Sequence, residues 1–162
     1  MHPNAALLTK LFQCLNSHDS KGMAECYHET ATFRDIAFKL DGRQKIHAMW
    51  DMICSDNERG KSDIVATVQE LSANDTTGRA GVVDDYTFRD TGRKVHNKIT
   101  SVFGFKDGKI VTQTDDCDAA SWARQTFGGL KGFVAGHVGF IRRRSAMKKL
   151  DMFIAAHPTY QR

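Results

Sequence analysis

The first third of the chain places hydrophobic residues at the three- and four-residue spacing of amphipathic helices. Between these helical segments lies one short run in which hydrophobic and polar residues alternate, as they do in a strand. Asp19 or Ser20 can cap the second helix with its side chain. The elements predicted here are a helix at 5–15, a helix from 20 to about 27, a strand at 31–35, a turn at 41–43 and a helix at 44–54.

Alternation of hydrophobic and polar residues dominates the middle of the chain and predicts four long strands. The last two links between them contain Gly92 and Gly108 at hairpin spacing. Successive strands with such short links form an antiparallel meander. Helices followed by a long antiparallel sheet indicate an α+β fold. The predicted strands are 62–72, 78–89, 94–105 and 109–117.

The C-terminal part of the chain returns to helical spacing. Gly128 and Gly129 end the first of two predicted helices, and the glycine-rich segment between the two has no assignment. We expect residues 1–128 to form the main domain. Residues 129–162 are expected to pack on that domain as a helical extension, against its core or over a pocket mouth. The two predicted helices are 119–126 and 141–156.

Composition narrows the class of protein. Hydrophobic residues make up 41% of the chain and charged residues 26%, which is typical of a soluble globular protein rather than a disordered one. No apolar run reaches membrane-spanning length, and the N-terminus lacks the features of a signal peptide. The sequence therefore predicts no membrane association and, by default, a cytoplasmic location.

Cysteines, histidines and charge exclude several further classes. The four cysteines are far apart and the seven histidines are scattered, so we expect reduced thiols, no metal site and no cofactor. The formal charge is +4, much of it near residues 142–144 and 148–149. Because no aromatic stacking platform accompanies this basic stretch, it favours a solvated helix face over nucleic-acid binding.

Three aspartates at the end of the last predicted strand are the strongest chemical feature of the sequence: Asp115, Asp116 and Asp118. Aspartate is depleted in strands, and a carboxylate that faces a core must be paired or change its pKa. Since side chains alternate along a strand, Asp115 and Asp116 point in opposite directions. At most one of the two faces is a pocket wall; if Asp115 faces a cavity, Asp116 faces solvent or a subunit surface, and we expect Asp118 to cap the helix that follows.

The order of elements and four sequence segments together resemble a known superfamily. The segments read LFQCLNSHD, ETATFRD, DGRQKIHAMW and VFGFKDGKIVTQTDDCD. They are similar to the NTF2-like superfamily, in its SnoaL-like branch of ketosteroid isomerases, limonene-epoxide hydrolases and polyketide cyclases. The resemblance covers roughly residues 5–127. It implies a cone in which a curved antiparallel sheet wraps around the N-terminal helices, here with an extra C-terminal helix.

The resemblance to ketosteroid isomerases implies a general base at Asp35, in the motif TFRD. Their oxyanion hole needs a tyrosine and a protonated aspartic acid, and the matching positions are Leu11 and Ser101. Neither supplies the acidic donor, so steroid isomerisation by that mechanism is not expected. Polyketide cyclases use an aspartate helped by a histidine, for which Asp118 or His96 is available, although strand alternation points His96 outward.

The resemblance to limonene-epoxide hydrolases implies catalytic aspartates on the second and fourth long strands. The matching residues are Asp84, or its neighbour Asp85, and Asp115. That family places an arginine between the two aspartates, where this chain has Val82. An arginine would keep both carboxyls ionised, so its absence predicts that they share a proton. Asp35 sits where that family has an asparagine that helps to hold the attacking water.

Alternation along the strands joins these positions into one predicted pocket with Asp35, Asp84 and Asp115 as its catalytic residues. Its lining is apolar and aromatic apart from the carboxyls and one amide. Such a lining suits a hydrophobic small molecule with one or two polar handles. The residues predicted to line the pocket are Phe12, Phe33, Met49, Trp50, Val82, Tyr86, Phe88, Ser101, Phe103, Gln113 and Cys117.

The sequence therefore predicts a small SnoaL-like enzyme that uses pocket aspartates for general acid–base chemistry on a hydrophobic small molecule. The reaction would be of isomerase, epoxide hydrolase or cyclase type. The alternative is a non-catalytic ligand-binding or protein-interaction module of the same fold. The resemblance also implies a homodimer that pairs through the outer face of the sheet, with His96, Lys98, Thr100 and Val102 at the interface.

Overall fold

The computed structural model describes residues 1–161, apart from the side chains of residues 135–137; Arg162, the end of the predicted extension, lies outside the described residues. The helices are α1 (Pro3–Asn16), α2 (Ser20–Ala24), α3 (Arg43–Cys54), α4 (Ala119–Phe127), α5 (Gly129–His137) and α6 (Gly139–Ala156), with a short 3-10 helix at Pro158–Tyr160. The strands are β1 (Tyr27–Arg34), β2 (Lys39–Asp41), β3 (Val65–Ala73), β4 (Thr77–Phe88), β5 (Arg93–Lys106) and β6 (Lys109–Cys117). The predicted α+β fold is confirmed.

The six strands form one curved sheet in the order β2-β1-β6-β5-β4-β3. Strands β3 to β6 are the predicted antiparallel meander. Strand β1 joins the sheet beside β6 in parallel, with Phe33 opposite Gln113, and turns back into β2. The sheet is therefore mixed rather than wholly antiparallel, and the parallel pair brings the end of β1 next to the middle of β6.

Two register shifts interrupt the meander, one where β3 pairs with β4 and one where β5 pairs with β6. The second shift falls at Gly104 and Phe105 of β5, which pair with Thr112 and Ile110 and leave Val111 of β6 as the extra residue. A Cβ atom on Gly104 would lie 2.5 Å from the hydroxyl oxygen of Thr112, which is closer than atoms can approach without movement. A glycine at this bulge allows β5 to bend close to β6, and bulges of this kind increase the curvature of a sheet.

Helices α1 and α3 fill the concave side of the sheet. The apolar face of α1 buries Leu8, Leu11 and Leu15, and that of α3 buries Ile46 and Met49. Each such side chain contributes about 1.5–3 kcal/mol when fully removed from water. Because these two helices occupy one part of the concavity, the remaining part is free to form a cavity.

Some elements differ from the sequence-based expectation. Helix α2 ends at Ala24 rather than near residue 27, because Tyr27 already begins β1. Strand β2 has only three residues, too few to show alternation. The unassigned glycine-rich segment contains α5, which follows α4 directly after a left-handed Gly128 (φ 64°). Among the described helices, none is both long and apolar enough to cross a membrane.

Candidate functional site

A cavity of about 550 Å³ lies between the inner face of the sheet, α3 and α6. Its walls are mostly apolar, and Phe33 and Trp50 meet there edge to face with ring centroids 5.8 Å apart. Five carboxyl groups interrupt the apolar lining: those of Asp35, Asp84 and Asp115, and those of Asp63 and Asp90, which form ion pairs. The structure therefore brings the three aspartates singled out in the sequence to one cavity.

A second, much smaller recess of about 20 Å³ adjoins the cavity on the side of α1. Trp50, Asp84 and Asp115 line both spaces, whereas Ser101 and Gln113 line the recess only. A space of this size holds one water molecule when polar groups surround it. The two carboxyl groups thus separate a water-sized polar recess from a large apolar cavity.

A directed chain of hydrogen bonds ends on Asp115. Trp50 Nε1 donates to the hydroxyl of Tyr27 (3.1 Å), which donates to Gln113 Oε1 (2.6 Å). The amide nitrogen of Gln113 then donates to both carboxyl oxygens of Asp115 (3.0 Å each). Because a tryptophan N–H can only donate, the Tyr27 hydroxyl accepts the first bond and uses its own proton for the bond to Gln113, and Asp115 is the acceptor at the end of the chain.

Two opposing influences act on Asp115. Desolvation raises its pKa to about 7, with a further contribution from the charge of Asp35. Hydrogen bonds from Ser101, directly opposite on β5, and from Gln113 stabilise the ionised form and limit the rise in pKa. Asp115 is therefore able to take up a proton near neutral pH while its surroundings are arranged for the carboxylate.

Asp84 lies on β4, one strand beyond β5, and has a different environment. Its Oδ1 is shielded from solvent and has no hydrogen-bond partner among the described residues. Desolvation raises its pKa to about 7, followed by the charges of Asp115 and Asp85. An isolated carboxylate in this position is unfavourable, so the protonated form of Asp84 is favoured.

The structure also distinguishes Asp84 from its neighbour. Asp85 is exposed on the outer face and lies 2.7 Å from the ring nitrogen Nδ1 of His96. His96 is exposed as well, as strand alternation predicts. Asn97, opposite Asp84 on β5, is buried and lines the cavity. It was not among the predicted pocket residues, although strand alternation places it on the same inner face as Ile99.

Asp35 lines the cavity but is held mainly by backbone. Its Oδ1 accepts hydrogen bonds from the N–H groups of Ala37 (2.7 Å) and Phe38 (2.5 Å), which closes the turn between β1 and β2. Desolvation raises the pKa of Asp35, whereas these two bonds and the charges of Arg143 and Arg142 lower it. One oxygen of this carboxyl is therefore occupied in shaping the cavity wall.

All but one of the residues predicted to line the pocket line either the cavity or the recess. The exception is Phe103, which is buried in the core and lines neither space. Its position opposite Gly78, next to Leu8 of α1, places it in the part of the concavity that α1 fills. The predicted residues that line the cavity are Phe33, Met49, Trp50, Tyr86, Phe88 and Cys117, and those that line the recess are Phe12, Trp50, Val82, Ser101 and Gln113.

The C-terminal helix α6 forms the outer wall of the cavity. At its start, Arg142 Nε donates to the carbonyl of Ile36 (2.7 Å) and Arg143 donates to the carbonyl of Asp35 (3.2 Å). Beyond its end, the hydroxyl of Tyr160 donates to Asp51 Oδ2 on α3 (2.9 Å). The extension thus lies over the pocket mouth and is attached at both ends.

The other heteroatoms of the site do not form a metal centre or a reactive thiol. Within the part of the chain that the structure describes, no group of three or more histidine, cysteine, aspartate or glutamate side chains could hold a metal ion. Desolvation raises the pKa of the Cys117 thiol, which makes the thiolate scarce at neutral pH. The carboxyl pair is left as the chemically distinctive feature of the cavity.

Comparison with known proteins identifies the family. The sequence matches the family model of the SnoaL-like domain over residues 8–113, well over half of the chain. The chain belongs to the SnoaL-like family. No curated protein has a significantly similar sequence.

Solved structures place the SnoaL-like chain among NTF2-like folds. An epoxide hydrolase of the limonene-epoxide hydrolase type from M. tuberculosis is 12% identical (TM-score 0.60; 86% of this chain and 95% of that chain). A predicted polyketide cyclase from Xanthomonas campestris is 16% identical (TM-score 0.60; 76% and 96%). A protein with a ketosteroid isomerase-like fold from Catenulispora acidiphila is 11% identical (TM-score 0.63; 74% and 91%). At these identities the likeness establishes the fold alone.

Proposed function

We propose that this SnoaL-like protein is an enzyme that opens the epoxide ring of an apolar small molecule with water, using Asp84 and Asp115 as an acid–base pair. The observation that carries the proposal is the position of Asp84. Its unpartnered, solvent-shielded Oδ1 lies between a water-sized recess and a large apolar cavity. A buried polar atom without a partner is costly, and a bound substrate oxygen would satisfy it.

The two carboxyls have environments that favour different roles. Asp115 accepts two N–H bonds from Gln113, which favours its ionised form. Asp84 has no such donors, and the charge of Asp115 favours its protonated form. Near neutral pH the pair therefore holds one proton, with Asp115 as the base and Asp84 as the acid.

The proposed reaction balances within the site. A water molecule in the recess attacks one carbon of the epoxide and transfers a proton to the Asp115 carboxylate. The bond from that carbon to the ring oxygen breaks, and Asp84 donates its proton to that oxygen, which completes a vicinal diol. A proton then returns from Asp115 to Asp84, through the next water molecule, and restores the starting state.

The test is to supply a lipophilic epoxide such as styrene oxide in ¹⁸O-labelled water and to measure labelled diol. General acid–base catalysis contributes about 10²–10⁴-fold to a rate, so we expect Asp84→Asn and Asp115→Asn to lose at least that much activity. Asp85→Asn, which alters the exposed neighbour, is the matched control and should retain activity. Diol formation that survives both pocket substitutions would contradict the proposal.

A second candidate function is a ligand carrier without catalysis. Val82 favours it, because the residue that lines the recess at this position is apolar rather than cationic. In that case apolar ligands should bind in the cavity, yet a panel of epoxides and of enolisable ketones should remain unchanged. Substrate turnover that depends on Asp84 would exclude the carrier.

We also propose that two copies pair through the outer face of the sheet. Strand β5 exposes Val102 there, between the inward-facing Ser101 and Phe103, and β3 exposes Val65, opposite the exposed Asp85. Hydrophobic side chains on an open sheet face favour association. The outward-facing set on β5 comprises His96, Lys98, Thr100 and Val102.

A further inference from the structure

The face of α6 that covers the cavity carries positive charge. The residues of α6 that line the cavity follow helical spacing, so they form a single face of the helix. A helix packed over an apolar space ordinarily presents apolar residues to it. Here two cations, Arg142 and Lys149, belong to that face, seven residues or about 10.5 Å apart along the axis. The lining residues of α6 are Ile141, Arg142, Ser145, Ala146, Lys149 and Phe153.

Lys149 is one of two cations that share a single carboxylate at the cavity mouth. Its ammonium group binds Asp90 Oδ2, and the guanidinium of Arg59 binds the other oxygen of Asp90. The ammonium also lies 5.4 Å from the ring centroid of Phe88. The side chains of Lys149 and Arg59 remain 44% and 52% exposed, so both are accessible to a ligand. With two cations and one anion, this cluster has a net positive charge.

The cavity therefore has opposite charges at its two ends. The carboxyls of Asp84 and Asp115 lie next to the recess, whereas Lys149 and Arg59 cluster with Asp90. Asp63, a further carboxylate of the lining, is paired with Lys94. An anionic group of a ligand would be repelled at the inner end and attracted at the mouth. The walls between the two ends are largely apolar and would contact a hydrophobic body.

We propose that the ligand of this cavity is an amphipathic carboxylic acid, with its apolar chain inside and its carboxylate bound by Lys149 and Arg59 at the mouth. As a statement about substrate it rests on the proposed epoxide-opening function, which would then act on the chain of an unsaturated acid after epoxidation. As a statement about binding it stands on the charge distribution alone.

The test compares two probes of equal chain length, decanoate and 1-decanol, below the concentrations at which they form micelles. Trp50 and Trp122 line the cavity, so quenching of tryptophan fluorescence reports binding of either probe. We expect decanoate to bind about tenfold more tightly than decanol, because ionised groups form the stronger hydrogen bonds. The preference should decrease as salt is added, since the cluster is open to solvent.

Substitutions assign the preference to the cluster. Lys149→Met should reduce the ratio of the two dissociation constants to near one, whereas Lys148→Met, on the adjacent exposed residue, should keep the wild-type ratio. Arg59→Gln is a second test outside α6 and should reduce the ratio as well. Equal binding of the two probes by the wild type, or a preference that survives both Lys149→Met and Arg59→Gln, would overturn the proposal.

The same probes separate this proposal from the catalytic one. Asp84→Asn should abolish epoxide opening but keep the preference for decanoate. A protein that prefers decanoate and turns over no epoxide would refute the catalytic proposal and support this one. A protein that turns over epoxides but binds the two probes equally would support the catalytic proposal and refute this one.

Discussion

The replacement of Asp84 by asparagine should change how the stability of the protein depends on pH. The folded state raises the pKa of Asp84 from 3.8 to about 7. Between these two values the folded protein binds more protons at this site than the unfolded chain does. The free energy of unfolding must therefore decrease as pH rises through this range, and the loss is complete above the folded pKa.

The size of this effect follows from the difference in pKa. A difference of about three pH units corresponds to about 4 kcal/mol of destabilisation when Asp84 is fully ionised. Of this, about 3 kcal/mol should develop between about pH 5 and pH 8, because part of the difference has already accumulated by pH 5. Asparagine has a similar shape and no ionisable group, so it removes this component.

Urea denaturation at about pH 5 and pH 8 measures the effect. The wild-type protein should lose about 3 kcal/mol more stability across this interval than Asp84→Asn does. The exposed neighbour provides the control, since Asp85→Asn should follow the wild type. Comparison between variants cancels the titrating groups that do not interact with Asp84, such as His47, whose pKa is lowered by desolvation. If the free energy of unfolding depends on pH in the same way in Asp84→Asn and in the wild type, the claim that ionisation of Asp84 destabilises the folded protein is refuted.

Two further predictions concern the hydrogen-bond chain and the dimer. Tyr27→Phe breaks the hydrogen-bond chain between Trp50 and Gln113. It should destabilise the protein by about 1–3 kcal/mol, measured by urea denaturation, and reduce turnover in the diol assay. Wild-type values in both measurements would contradict this prediction. Lys98→Glu reverses a charge on the outer sheet face and should shift the proposed homodimer towards monomer in sedimentation. An unchanged sedimentation coefficient would count against the proposed interface.

Much of the fold could be predicted because its signals are local. Alternation of side chains marks β3 to β6, and helical spacing marks α1 and α3. Asp118 caps α4 through the N–H of Ser121, as the sequence predicts. By contrast, β2 is too short to show a period. Helix α5 begins at Gly129 and also contains Gly132, and glycine is a poor helix former.

The candidate site was only partly predictable, because its decisive contacts join distant segments. The position of Tyr27 against Gln113 depends on the parallel pairing of β1 with β6, which no local pattern reveals. The inward orientation of Lys149 depends on how α6 packs over the cavity. Side-chain parity placed Asp115 correctly, but two adjacent aspartates on β4 left the choice between Asp84 and Asp85 to the strand register.

The most direct test of the central claim is an NMR titration of the aspartate carboxyl carbons. If Asp84 and Asp115 form an acid–base pair, two carboxyl signals should titrate near pH 7, and each should disappear in its own asparagine variant. Titration of both Asp84 and Asp115 near the 3.8 of an ordinary aspartate would contradict the account.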